Sequence, residues 1–324
     1  MSQKIEIRCS EIIRLDDFLR KYFESNMQSL LDNAGKNDFE LSNGKIRRFI
    51  ISGSVSVNKK QIRRPAFELR GNSFISFDYD QDKFFYEKQP DDIKFEVSDK
   101  DILFEDENLI FVNKPSSFPV EQTITGNRDN LHDSVVKYLW NRNQSLRNPP
   151  YVGIVHRLDR ETSGVILFTK TRAINKDIHD LFENHSFEKE YYAVVRQNNK
   201  IKVGDNFTVE NYIGRVSKKT QAGKWGSVSE QNGGQYAKTE FRVLENCKIN
   251  GANCLVVCCK LFTGRTHQIR VHLSGLGLPI VGDELYGGFK SNRMMLHAYK
   301  LSFIHPITKK ELVIISKCPF YEKK

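Results

Sequence analysis

GIVHRLDRETSGVILFTK, residues 153–170, changes character at Gly164. From Val165 to Thr169 the run is apolar and strand-like. Ahead of it Asp159 stands between Arg157 and Arg160, so the acid lies in a polar loop that feeds a buried strand. Loops held by a rigid scaffold are where catalytic groups concentrate. The flanking cations favour an ionised carboxylate at neutral pH. By spacing alone the same residues read equally well as a surface ion pair or as a helix cap in RETSG.

Outward from this stretch the pattern stays strand-rich. ILFEDENLIFVNKP is strand, turn, strand, ended by Pro115. TRAINKDIHDLF places Ile174, Ile178, Leu181 and Phe182 on one helix face. YYAVV, FRVL, CLVVCCKLF and ELVIIS read as strands. Helices among mostly hairpin-like strands predict an α+β protein, with a catalytic domain built on a mixed, mainly antiparallel sheet flanked by helices and loops. At roughly 100–200 residues per domain, the 324-residue chain has room for a second, smaller α+β domain. The expected division is 1–80, a linker over 81–94, and 95–324, because Gln81 to Asp92 is charged and strand-poor.

Hydrophobic residues make up 39% of the chain, enough for a sizeable core, so global disorder is excluded. Apolar runs such as Leu255–Cys259 are far shorter than the roughly 18 residues of a membrane helix. The opening MSQKIEIRCS is polar, so no secretory signal and no membrane partner are expected. Six cysteines form no CxxC pair, and three of them lie in the apolar CLVVCCKLF. They read as small core hydrophobes of a reducing, cytoplasmic compartment. The net charge of +10 and pI near 9.2 point to a polyanionic partner, most often nucleic acid.

The N-terminal segment concentrates that charge. IIRLDDFLRKYF puts Ile12, Leu15, Phe18, Leu19 and Tyr22 on one helical stripe. A polar loop is expected from Asp32 to Asn43, then a helix in IRRFIISG that stops at Gly53. SVSVNKKQI reads as a hairpin turning at Asn58–Lys60, and FISFDYD as a last strand. Between Lys45 and Arg70 lie Lys45, Arg47, Arg48, Lys59, Lys60, Arg63, Arg64 and Arg70, opposed only by Glu68. If helix and hairpin pack together these cations share a face suited to a phosphate backbone. The bland alternative is a solvated surface; the lopsided balance argues against it.

A second polar constellation lies in KLFTGRTHQIRVHLSGLGLPIVGDELYGG, residues 260–288. Gln268, Arg270 and His272 alternate with Ile269, Val271 and Leu273, which places the three polar groups on one face of a strand or short helix. His267 and His272 match no metal-ligand spacing, so no metal is expected and both read as structural histidines.

With these residues in view, the N-terminal segment resembles the RNA-binding domain named after ribosomal protein four of the small subunit. The matching residues are Arg14-Leu15-Asp16, Ile50, Gly53, Val55, Val57 and Asn58. Gly44-Lys45 and Gly71-Asn72 stand where that family carries Ser–Arg and Gly–Asp. The remainder resembles the pseudouridine synthases of the RluA type, named for large-subunit ribosomal RNA. The resemblance runs through NKPSSFPV (113–120), HRLDRETSGVILFTK (156–170), KEYYAVV (189–195), AKTEFRVL, GRTHQIRVHL, PIVGDELYG and MLHAYKLSFIHP. So many motifs in order are specific in a way that a lone glycine-rich loop is not.

The resemblance implies an isomerase that detaches uracil from ribose through a nitrogen and rejoins it through a ring carbon. No redox change occurs and no phosphate is spent, so no cofactor is implied. The resemblance assigns the nucleophile or base to Asp159, the cation that holds it to Arg270, and the aromatic hydroxyl at the base to Tyr191. Tyr192 should point to the opposite face of the strand. Arg157 would fill the gap left when the target base leaves its stack. Arg47, Arg48, Lys59, Lys60, Arg63 and Arg64 would bind RNA, with ribosomal RNA the expected partner and a monomer the expected state. Three alternatives stand beside this: an inactive RNA-binding protein of the same fold, a synthase for transfer RNA, and a metal hydrolase using His156 and Asp159.

Overall fold

A computed structural model describes residues 2–32, 43–51, 54–80, 93–122, 129–143, 145–198, 200–217 and 223–322. The chain forms two compact units, residues 1–92 with 122–129, and residues 93–121 with 130–324. Most of the expected linker, and most of the expected loop after Asp32 together with Gly53, lie outside the described residues.

In the first unit, β1 (Ser2–Cys9), β6 (Ser73–Asp80), β3 (Val55–Val57) and β4 (Lys60–Ile62) form an antiparallel sheet in that order. A small ribbon pairs β2 (Ile13–Arg14) with β5 (Glu68–Leu69). Helices α1 (Leu15–Asp32) and α2 (Asn43–Ile51) supply the rest of the core. Leu15, Leu19 and Phe23 recur every four residues on α1 and meet Ile46, Phe49 and Ile50 of α2 over Val55, Val57 and Phe77. Ile12, expected in that stripe, precedes the helix and is 75% exposed. Asn58 and Lys59 have φ of 49° and 68°, the left-handed pair a two-residue hairpin turn needs. Strand β1, which pairs with β6 along its whole length, was not among the expected elements. Its buried Cys9 is separated from Ile5 and Ile7 by charged residues, the half-buried alternation of an edge strand.

The second unit holds one large sheet, ordered β13 (Trp225–Ser227), β12 (Asn206–Arg215), β14 (Gln235–Ile249), β15 (Ala252–Leu261), β11 (Glu188–Arg196), β16 (Leu296–Ile304), β10 (Ser163–Thr169), β8 (Leu109–Lys114), β7 (Ile102–Glu105). Strand β17 (Glu311–Ile315) adds to β16, and β9 (Gly153–Ile154) to β10. Neighbours are antiparallel except β10 with β16, which run parallel. The fold is therefore α+β with a mixed, mainly antiparallel sheet. Helices α3 (Leu131–Arg142) and α4 (Asn175–Glu183) seal one core over Phe111, Ile166 and Phe168, through Val135 and Ile178. Helix α5 (Gln268–Gly275) seals another over Val194, Leu255 and Val257, through Ile269 and Leu273. Tyr191 of β11 packs against both. Cys254, Cys258 and Cys259 are buried in β15, and all six cysteines are free.

The parallel junction depends on Gly164. Its φ is +115°, and an added Cβ would overlap the Ala298 carbonyl and lie 2.7 Å from the Ala298 nitrogen. Gly164 pairs directly with Ala298, so neither strand can yield without breaking the register. Gly164→Ala is expected to destabilise by about 3 kcal/mol or more, from positive-φ strain plus backbone overlap. A urea midpoint unchanged from wild type would contradict this.

Candidate active site

The loop before β10 is held from beneath by a buried ammonium. Lys114, at the end of β8, is fully buried, and its Nζ donates to the carbonyls of Pro115, Arg160 and Thr162, each at 2.8 Å. Ser116 Oγ donates to the Glu161 carbonyl at 2.5 Å, and Thr162 N–H to the Asp159 carbonyl at 3.1 Å. Burial lowers the Lys114 pKa to about 7 against the charges of Glu161 and Asp159. Three carbonyl acceptors require three N–H donors, which only the ammonium supplies, so the lysine stays charged. These contacts to backbone carbonyls hold the loop's path.

From this loop the Asp159 carboxylate meets α5. Arg270 Nη1 donates to Asp159 Oδ2 at 3.0 Å. The same guanidinium makes a two-pronged pair with Asp283, Nε to Oδ2 at 2.7 Å and Nη2 to Oδ1 at 2.8 Å. The side chains of Arg270, Asp283 and Asp159 are 5%, 1% and 24% exposed, so the ion pair is buried on one side and open on the other. Burial works against the Arg270 charge, but hydrogen bonding to Asp283 and the charges of both acids outweigh it, and its pKa is raised. The Tyr286 ring lies beneath the guanidinium, 5.0 Å from centroid to Cζ.

The even alternation in GRTHQIRVHL does not put its polar residues on one face. In a helix, neighbours two apart diverge by about 200°. Gln268 and His272, four apart, both reach Thr239 Oγ1, at 2.9 and 3.0 Å. Arg270 points instead to the two acids. His272 also bonds Asn211, and burial lowers its pKa to about 4, so it is the structural histidine expected. His267 is different: it has a left-handed φ of 57°, and its Nε2 lies 3.8 Å from Asp159 Oδ2. Its Nδ1 is 2.8 Å from the Tyr286 hydroxyl, which accepts the Trp225 N–H at 2.9 Å. Burial lowers the His267 pKa, so the ring is neutral at pH 7 despite the nearby acid. A Tyr286 hydroxyl that donates to Nδ1 leaves the His267 proton on Nε2, facing Asp159.

A pocket of about 90 Å³ opens over these groups, lined by Asp159, Arg157, Tyr191, His267 and Arg270 with the apolar Leu158, Leu261 and Leu296. Burial, then Asp159, raises the Tyr191 pKa, so its hydroxyl keeps its proton. Tyr192 faces away, 4.4 Å from the Tyr299 ring. Arg157 is exposed and pairs with Glu121. His156, a hydrolase ligand in one alternative, is turned inward: its Nε2 accepts the Leu167 N–H at 2.9 Å, its ring stacks on Phe182, and burial lowers its pKa to about 3. Among the described residues, the one His/acid group spaced for a metal is His179, Asp180 and Glu183 on α4, which excludes Asp159. The expected trio Asp159, Arg270 and Tyr191 is thus brought together. Asp283 and Tyr286 join it without having been assigned a role from the sequence, and His267, expected to be a structural histidine like His272, lines the pocket instead.

The family described as RNA pseudouridylate synthase matches residues 108–275, which contain the Asp159 loop, Tyr191 and Arg270. The chain belongs to this family. Ribosomal large subunit pseudouridine synthase D of Zymomonas mobilis is 32% identical over 292 residues, covering 86% of each chain. An uncharacterized RNA pseudouridine synthase of Bacillus subtilis, YhcT, is 35% identical over 69% of this chain and 70% of its own. Human RNA pseudouridylate synthase domain containing 1 is similar in structure, with a TM-score of 0.55 and 26% identity, over 70% of this chain and 88% of that one. As an RNA pseudouridine synthase, the protein is an isomerase. On the synthase's first unit, Arg47, Lys59, Lys60, Arg63, Arg64 and Arg70 are exposed. The side chains of Lys45 and Arg48 lie outside the described residues.

Proposed function

We propose that the protein converts uridine to pseudouridine in large-subunit ribosomal RNA, with Asp159 as nucleophile or base, Arg270 holding it and Tyr191 facing the base. The observation that carries this is the half-open ion pair. One oxygen of Asp159 is fixed by Arg270 at 3.0 Å while the carboxylate opens on a pocket beside Tyr191. In the reaction C1′–N1 breaks, the freed uracil turns, and C1′–C5 forms. C5 gives up its proton and N1 gains one, so nothing is added or lost overall. An anchored carboxylate suits the first step as nucleophile at C1′ or as base at the sugar. The protonated Tyr191 hydroxyl can hold the turning base and exchange a proton with it. The choice of RNA rests on relatives whose names specify the ribosomal large subunit. The test is to treat unmodified large-subunit RNA, small-subunit RNA and transfer RNA with the purified protein and map pseudouridine. Conversion confined to transfer RNA would overturn the choice of substrate, and conversion in none would overturn the activity.

We further propose that residues 1–80 are an RNA-binding domain of the ribosomal-protein-four type, joined through 81–94 to a catalytic domain over 95–324. The exposed cations named above, with Arg48, would contact phosphate. Reversing Arg47, Arg48, Arg63 and Arg64 to glutamate is expected to weaken RNA binding and flatten its salt dependence. The slope of log K against log salt should fall by about 0.7–0.9 for each lost contact. An unchanged slope would reduce the patch to a solvated surface.

A further inference from the structure

Lys189 lies two residues before Tyr191 on β11, and both side chains leave the same face of the strand. It is only 9% exposed. Lysines this buried are normally paired. Among the described residues, however, its ammonium has no carboxylate and no hydrogen-bond acceptor, only the Phe182 ring at 6.0 Å. Its neighbours Glu188 and Glu190 project from the other face, where they pair with Lys260 and Lys300.

The charge that acts most directly on Lys189 is another cation. Burial and then Arg265 lower the Lys189 pKa to about 8, and Lys189 in turn adds to the burial that lowers His156 and His185. Arg265 is also without an acid: its Nε donates to the Tyr236 carbonyl at 3.0 Å, and Nη1 to Gln235 Oε1 at 3.5 Å. Arg265 borders the Asp159 pocket, and Lys189 lies directly behind its lining. Arg265 and Gly264 line it, and a Cβ added at Gly264 would lie 3.7 Å from Lys189 Nζ. Leu261, another lining residue, is the β15 partner of Lys189.

A half-sealed cation beside a second cation destabilises the empty protein and is relieved by an anion. RNA brings one anion per nucleotide. We propose that Lys189 and Arg265 form a subsite for the phosphodiester next to the target uridine, fixing the strand at the pocket mouth as the base turns inward. This rests on the synthase reading. It supplies what the N-terminal patch cannot, a phosphate contact within the catalytic unit itself.

The test uses the full-length protein and a stem-loop RNA containing a uridine mapped as its target. Lys189→Met keeps the apolar stem and removes the charge. It is expected to raise KM on the order of 10-fold and to lower the salt slope by about 0.7–0.9, with kcat changed much less. Lys248→Met, at the tip of the β14–β15 hairpin, serves as the charge control and should leave the slope alone. Thermal stability should hold in Lys189→Met, because the apolar stem is kept and the half-sealed ammonium makes no ion pair or hydrogen bond among the described residues. A merely structural lysine would lower it. Wild-type protein should lose a similar factor on RNA carrying a neutral methylphosphonate at the adjoining phosphate, and Lys189→Met should lose nothing further. Additive losses, or full wild-type affinity for the methylphosphonate RNA, would overturn the subsite. The binding arms need no turnover, so a wild-type protein that binds but forms no pseudouridine would separately indict the synthase reading.

Discussion

Asp159→Asn is expected to abolish pseudouridine formation, by a factor on the order of 10⁴ or more, while RNA affinity stays within about 2-fold. The replacement is nearly isosteric. It removes the charge that attacks or deprotonates the sugar, but leaves an amide oxygen that can still accept from Arg270 Nη1. The scaffold does not depend on that charge. Lys114 holds the loop through three backbone carbonyls, and Arg270 keeps its two-pronged pair with Asp283. The variant should therefore fold, with a melting temperature close to that of the parent. Single-turnover conversion at saturating RNA is the measurement, since it separates chemistry from binding. Residual conversion at more than about a hundredth of the wild-type rate would remove Asp159 from the reaction.

Strands β7, β8, β10, β11, β15 and β17, and part of β14, were legible because their apolar runs are short and bounded by turns. Helix α4 was legible too, where Ile174 at its N-cap and Ile178 recur at helical spacing and are both buried. By contrast β12, with polar residues between Phe207, Val209 and Ile213, and β16, with its Lys300 and Ser302, were not read as strands. Strand β1 does alternate Ile5, Ile7 and Cys9 with charged residues, but the alternation is one short stretch of an edge strand, where the hydrophobic signal is weak. Helix α5 misled in the opposite sense. Its polar and apolar residues alternate as in a strand, yet Gln268 through Leu273 are all buried, so neither period could be read from exposure. The site divided along the same line. Asp159, Tyr191 and Arg270 stood in recognisable motifs. Asp283 and Tyr286 sit together in GDELYG, but the contact between Arg270 and Asp283 spans a loop whose path no spacing rule supplies. The signal that could have found Asp283 is its burial: an aspartate in an otherwise apolar and glycine-rich run needs a cation. His267 announced itself only through backbone geometry, a left-handed residue at the start of a helix.

Arg270→Met is expected to be the most damaging single change at the site, because it strands two carboxylates. Asp283 is 1% exposed and owes two hydrogen bonds to the guanidinium; Asp159 owes one. Breaking a buried pair by removing one partner costs about 3–5 kcal/mol, so a clear drop in the urea midpoint is expected. Arg270→Lys keeps a cation but not the planar fork. An ammonium cannot reproduce the side-on pair with Asp283 and also reach Asp159 in the same geometry, so intermediate loss is expected in both stability and rate. The pH dependence separates roles. With the guanidinium gone, two like charges in a poorly solvated site favour retaining a proton. The folded state then binds more protons than the unfolded one, so the Met variant should lose stability as pH rises. Its activity should move the other way, because the reacting carboxylate must be ionised: no recovery in acid, partial recovery in mild alkali. Opposed slopes of stability and single-turnover rate are what an ion-pair role produces. If Arg270 instead bound an RNA phosphate, the Met variant would show weaker RNA binding and an unchanged plateau rate, and that outcome would reject the pairing of Arg270 with Asp159 as the source of its effect.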